Sequence, residues 1–207
     1  MPAVRRRAFH ALPVRVCHWI NVLAMVGMVM SGWGIYNASP LFNFTFPLPL
    51  TLGGWLGGNI AWHLAVMWAL AANGLFYLIW GVVSGHFRQR FFPLSPRAVG
   101  RDLGLALRFR LPHQLTEYNA VQKAMYLGVL LCGVLLVLSG LSIWKPVQFS
   151  GLVALFGGFD FARYVHFFAM SGVVAFVVIH VVMVLLVPKT LPRMIIGGGG
   201  EEPSNER

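Results

Sequence analysis

Carboxylates are nearly missing from this chain. Asp and Glu number six among 207 residues, against sixteen Lys and Arg, and none falls inside a long apolar run. A transmembrane proton path would normally carry such groups, so their absence counts against one. Charge of either sign is sparse: charged residues make up 11% of the chain, less than half the roughly 25% of a soluble domain. Only two cysteines occur, Cys17 and Cys132, both within apolar runs, which excludes an exposed disulfide framework. What fills the space is apolar, with 57% of residues hydrophobic.

These residues gather in four runs, about 14–36, 55–83, 121–144 and 162–187. Each reaches the ~20 residues that cross a bilayer's hydrocarbon layer as a helix. The expected fold is all-α: an integral membrane four-helix bundle, up-down and antiparallel, over residues 1–195. The glycine-rich, charged stretch 196–207 is expected to be a disordered tail. The net charge of +10 is not a nucleic-acid footprint, because its distribution follows the membrane. Arg5, Arg6, Arg7 and Arg15 precede the first span; Arg88, Arg90, Arg97, Arg101, Arg108 and Arg110 separate the second and third; Lys189, Arg193 and Arg207 follow the fourth. The connection 37–54 carries no charge at all. This positive-inside pattern puts both termini in the cytoplasm. The triple arginine superficially resembles an export signal. The apolar run after it exceeds a signal core and lacks a small-residue cleavage site, so it reads as a retained helix.

The long inner connection contains Ser95-Pro96, a cap residue followed by a helix-initiating proline. Arg97, Arg101 and Arg108 fall near one side of the helix that would follow, with Val99, Leu103 and Leu107 offset. Either an amphipathic surface helix or a basic topology-setting loop fits. The uncharged outer connection is rich in Phe, Pro and Leu, and suits docking a partner or resting among headgroups. Ser31-Gly32-Trp33-Gly34-Ile35 in the first span is echoed by Ser139-Gly140-Leu141-Ser142-Ile143 in the third. Such small residues allow close approach of helices or of a flat ligand.

Four of the seven histidines lie in spans: His18, His63, His166 and His180. His166 and His180 are fourteen residues apart, close to four turns, so they share a face and are separated by ~21 Å along the axis. With the termini inside, His63 and His166 fall at an outer depth, and His18 and His180 at an inner depth. Each pair combines the fourth helix with a different neighbour. Zinc and copper sites converge several ligands, often with Cys or carboxylate, on one point. Two levels of paired imidazoles with no intramembrane carboxylate instead suit two bis-histidine haems, each needing two nitrogens and an apolar slot. Cys17-His18 is not part of a C-x-x-C-H motif, which excludes covalent c-type attachment. His86, just past the second span, is a weaker inner alternative to His18, while His10 and His113 sit in basic cytoplasmic segments.

At these residues the chain resembles the di-haem b-type cytochrome subunits of prokaryotic membrane oxidoreductases. These include the formate dehydrogenase gamma subunit, the nickel–iron hydrogenase cytochrome b and thiosulfate reductase cytochromes. The resemblance rests on Arg15-x-x-His18-Trp19, His63, the His166/His180 pair, and Tyr118-Asn119-Ala120-Val121-Gln122-Lys123, and covers roughly residues 10–195. It implies two haem b groups: an outer one on His63 and His166, and an inner one on His18 and His180. It also implies a quinone as substrate beside the inner haem, contacted by Asn119, Val121 and His180. Val121 stands where the formate dehydrogenase subunit has glycine. Arg15 and Lys123 would lie near the inner propionates and Arg163 near the outer ones. Read from the sequence alone, Asn119 is equally a helix N-cap, and the three cations are equally snorkelling anchors.

The resulting expectation is an electron carrier of the bacterial cytoplasmic membrane, with no catalytic residue of its own. It would connect the quinone pool to a periplasmic redox subunit such as a molybdenum enzyme or another dehydrogenase. Two alternatives stand beside it: a partner-free haem quinone reductase oxidising a small species such as superoxide, and a non-haem membrane anchor with structural histidines.

Overall fold

The computed structural model describes residues 11–91, 95–108, 119–188 and 191–197, all-helical apart from connecting turns. The basic residues Arg5 to Arg7, His10, His113, Tyr118 and the tail 198–207 lie outside the described residues. Four helices are long and apolar enough to cross a membrane: α1 (Leu12–Ala38), α2 (Leu56–Val83), α5 (Ala120–Trp144) and α7 (Phe159–Leu186). At 25 to 28 residues each they are about 37–42 Å long, more than a ~30 Å hydrocarbon layer. Among the described residues there are also four shorter α-helices, α3 (His86–Phe91), α4 (Pro96–Leu107), α6 (Ser150–Leu155) and α8 (Leu191–Ile195), and a 3-10 turn at Leu48–Leu50.

The long helices form two antiparallel hairpins. α1 packs along α2 and α5 along α7, while backbone contacts between the hairpins are sparse. Both interhelix connections lie at one end, here the loop end. There Arg163 of α7 donates to the carbonyl oxygen of Ser39 after α1 (2.5 Å). Phe42 packs against Tyr164, Phe167 and Phe168. Asn37 clasps the backbone of Phe46 in both directions at 2.8 Å, folding the first connection back over the bundle. At the terminal end, Arg15 and Trp19 of α1 donate to the carbonyls of Ile195 and Met194 in α8.

The packing is that of a protein whose solvent is lipid. Buried positions on the long helices hold mostly small or polar residues, including Ala24, Ser31, Ser139, Ser142, Ala162 and Ala169. Large apolar side chains such as Leu23, Val83 and Leu186 face outward. Small side chains let backbones approach where hydrophobic expulsion cannot drive association. Gly53 shows how tight this is: its φ is +123°, and a Cβ there would lie 2.4 Å from the backbone nitrogen of Asn59.

The Ser95-Pro96 signal corresponds to α4, a helix rather than an irregular basic loop. It is tied down by its one carboxylate. Asp102, which is buried, accepts from the backbone N–H of Ala120, the first residue of α5 (3.1 Å), and pairs with Arg101 (3.0 Å). Asn119 completes this helix start with a capping box. Its Oδ1 accepts from the Gln122 N–H (2.8 Å), and Gln122 Oε1 accepts from the Asn119 N–H (3.1 Å).

Candidate functional site

The four span histidines meet in two pairs, both across the gap between hairpins. His63 of α2 faces His166 of α7, with ring centroids 6.4 Å apart and planes at 64°. His18 of α1 faces His180 of α7, at 6.1 Å and 67°. The first pair lies toward the loop end and the second toward the terminal end, with α7 contributing to both. His86 packs against Trp80 and Tyr77, and it is His18 that lies opposite His180.

Both rings of the loop-end pair are held in the same way. His63 Nδ1 lies 3.0 Å from Ser31 Oγ of α1, and His166 Nδ1 lies 3.0 Å from Ser139 Oγ of α5. Each serine is fully buried, and its hydroxyl also reaches the carbonyl four residues earlier, Gly27 or Leu135, at 2.6 Å. A carbonyl cannot donate, so the hydroxyl proton goes to it. The serine oxygen then accepts from Nδ1–H, which leaves Nε2 unprotonated with a free lone pair. Neutral imidazole in that tautomer is a ready metal ligand. The following residues, Gly32 and Gly140, make room for the rings: a Cβ would lie 3.4 Å from His63 Cε1 and 3.3 Å from His166 Cε1.

Aromatic groups frame the terminal-end pair. Trp19 meets His18 edge-on at 5.3 Å, and Phe176 stacks on His180 at 5.8 Å. Among the described residues, no side chain hydrogen-bonds a ring nitrogen of either histidine. Arg15 lies one turn before His18, its Nη2 on the Ile195 carbonyl and its Nε buried without a partner. Toward the loop end, Trp33 Nε1 and Asn59 Oδ1 are likewise buried and unpaired. Arg163 is engaged with both the carbonyl and hydroxyl oxygens of Ser39, 3.8 Å from Asp160, and so braces the two hairpins. Lys123 is half-buried in the first turn of α5.

These features can be tested against a metal-centred group. Two imidazoles bound through nitrogens ~2.0–2.1 Å from one metal have centroids roughly 6 Å apart, as both pairs do. Among the described residues no three His, Cys, Asp or Glu converge as a zinc-type cluster. Paired imidazoles between sparsely packed apolar hairpins, glycine clearance beside the loop-end rings and unpaired buried donors at the margins fit haem, which those histidines would hold.

The serines were missed as functional residues because their echo also reads as ordinary packing. In space the echo marks a two-fold relation between the hairpins. His18 stands thirteen residues before Ser31, and Tyr126 thirteen before Ser139; Tyr77 follows His63 by fourteen, as His180 follows His166. The loop-end level therefore repeats, whereas at the terminal-end level tyrosines stand where the second hairpin's His18 and the first hairpin's His180 would be.

A lipid-spanning four-helix bundle with histidines paired across its hairpins is the architecture of a membrane b-type cytochrome. The family model of prokaryotic cytochrome b561 matches residues 10–197, and the chain belongs to that family. A relative in Azospira oryzae is 53% identical over 191 residues, covering 92% of this chain and 96% of its own. Its name provisionally makes it subunit YedZ1 of a protein-methionine-sulfoxide reductase. Proteins of Bradyrhizobium diazoefficiens and Cupriavidus necator, provisionally named Ni/Fe-hydrogenase B-type cytochrome subunits, are each 23% identical. The first covers 82% of this chain and 74% of its own length, the second 86% and 79%. Membership in a cytochrome family implies haem b and sets aside the non-haem anchor.

Proposed function

We propose that this chain carries electrons across the membrane through two bis-histidine haem b groups, one on His63 and His166 and the other on His18 and His180. The observation that carries this reading is the pairing of histidines across the hairpins at two levels of α7, each at a separation suited to one metal between two imidazoles. Haem b supplies one-electron oxidation and reduction. The histidines hold it, and the apolar helices exclude water from it. The positive-inside distribution of arginine in the sequence supports a cytoplasmic terminal end, with His63 and His166 as the outer level and His18 and His180 as the inner one.

The quinone pool meets the inner level in this reading. Asn119 uses its side-chain oxygen and its backbone N–H within the capping box, which leaves the Nδ2 amide as a donor to a quinone oxygen. Val121 and His180 complete the contact. Outside, a separate redox subunit exchanges electrons with the outer level. The relative sharing 53% identity is named for a methionine-sulfoxide reductase, whereas the hydrogenase-named relatives share 23%. That contrast favours a reductase partner. Reducing a sulfoxide to a sulfide and water consumes two electrons and two protons, so electrons run from quinol outward.

The test is haem stoichiometry in mild detergent, with reduced-minus-oxidised spectra of wild type and His166→Ala. Two b-type haems per chain, with one lost in the variant, are expected. A folded preparation without haem overturns the reading. Quinol added anaerobically should reduce the haem, and a sulfoxide-reducing partner subunit should reoxidise it.

A further inference from the structure

We propose that Ser31 and Ser139 are a matched pair of positioning residues that set the reduction potential of the outer haem and leave the inner one untouched. The proposal rests on the four histidines being haem ligands. Its own support is the relay Nδ1–H to Ser Oγ–H to backbone carbonyl, present twice with the same lengths, 3.0 Å and 2.6 Å. Chains of this kind strengthen each link, because a hydroxyl that donates is a better acceptor. A hydrogen bond accepted from the distal N–H of a ligating imidazole fixes its orientation and raises its basicity. A more basic pair of axial ligands stabilises the oxidised iron and lowers the potential.

Of the two levels, only the outer one has side-chain hydrogen bonds to its ligands among the described residues. Both outer histidines have a buried hydroxyl on the neighbouring helix of their own hairpin. The inner histidines have aromatic neighbours and no side-chain hydrogen bond among the described residues. Two serines in homologous places, each 0% exposed, therefore act on one centre of a two-centre path. Lowering the outer potential makes electrons leaving toward the outer face more reducing, and narrows or reverses the step from the inner level.

Potentiometric titration of Ser31→Ala, Ser139→Ala and the double variant tests this, alongside haem counting and low-temperature electron paramagnetic resonance. Each single variant is expected to keep two haems and raise one midpoint. The double variant should raise the same midpoint by about the sum, with the other unchanged. Ser31→Thr and Ser139→Thr keep the hydroxyl and should hold the wild-type midpoint and resonance. Unchanged midpoints in the double alanine variant overturn the proposal, as does an equal rise in the alanine and threonine variants. Wild type without haem, or haem retained in both His63→Ala and His166→Ala, instead brings down the ligand assignment beneath it.

Discussion

Asp102 of α4 accepts a hydrogen bond from the backbone N–H of Ala120, the residue that begins α5, across a separation of eighteen residues. The Ala120 N–H, and after it the Arg101 guanidinium, hold the Asp102 carboxyl below the usual carboxylate range. A carboxylate at a helix N-terminus also meets the positive end of the helix dipole. Because the folded pKa is depressed, the contact stabilises fully above the ordinary value of about 3.9 and is lost only as pH falls through the lower folded value. Acidification to pH 5 should leave α4 docked, and loosening should begin below roughly pH 4. Asp102→Ala should remove the contact at every pH. Hydrogen exchange at the first turn of α5 and along α4 should then quicken, with haem per chain unchanged. Equal protection in wild type and variant would show the contact to be incidental.

The four spans and α4 were legible because their causes are local: apolar run length, and a Ser-Pro start before an amphipathic pattern. The sharing of one helix face by His166 and His180 was legible because helical rise is fixed, and each of them meets a histidine of the other hairpin. The serine contacts were not. A hydroxyl in a membrane helix normally bonds the carbonyl one turn back, as Ser31 and Ser139 do, and nothing in the chain announces a second partner on another helix. The Asp102 to Ala120 contact was equally hidden, because it spans a connection whose path no periodicity specifies. For Asn119 the sequence left two roles open, and the capping box shows one of them directly. Arg163, read as a propionate neighbour or an anchor, also braces Ser39, a contact the sequence did not announce.

Gly140 has little room for a side chain. A Cβ would stand 3.3 Å from His166 Cε1, so alanine must push the ring by a few tenths of an ångström. Overpacking of this kind costs about 1–3 kcal/mol. Gly140→Ala should weaken retention of the outer haem during detergent washing, and Gly140→Val should abolish it while the inner haem stays. Haem per chain and the split of the reduced spectrum report the result. Two full haems in the valine variant would mean that His166 does not need the space.

His86 and His18 offer a direct contrast at the inner level. His18 stands 6.1 Å from His180, whereas His86 packs against Trp80 and Tyr77. His18→Ala and His180→Ala should each lose the same haem and stop reduction by quinol, with the outer haem still reducible by dithionite. His86→Ala should keep both haems and both midpoints. Loss of the inner haem in the His86 variant would reassign the ligand.

Asn119 carries two duties in the proposed function, and a pair of substitutions separates them. Capping uses its oxygen as an acceptor, a task that aspartate performs as well as asparagine. Quinone contact would use the Nδ2 amide, which aspartate lacks. Asn119→Ala should therefore destabilise the start of α5 by about 0.5–2 kcal/mol, visible as a lower thermal midpoint, and slow quinol-driven haem reduction. Asn119→Asp should keep stability within a few tenths of a kcal/mol of wild type, with the thermal midpoint nearly unchanged. It should still lose about tenfold in the rate, the worth of one hydrogen bond near 1.4 kcal/mol. Stopped-flow reduction with a short-chain quinol measures that rate, and dithionite reduction of the same sample controls for haem loss. If the aspartate variant matches wild type in both stability and rate, Asn119 is a cap alone. The quinone oxygen must then find its donor elsewhere on the inner face, where Tyr126, one helix over from His180, is the next residue to change.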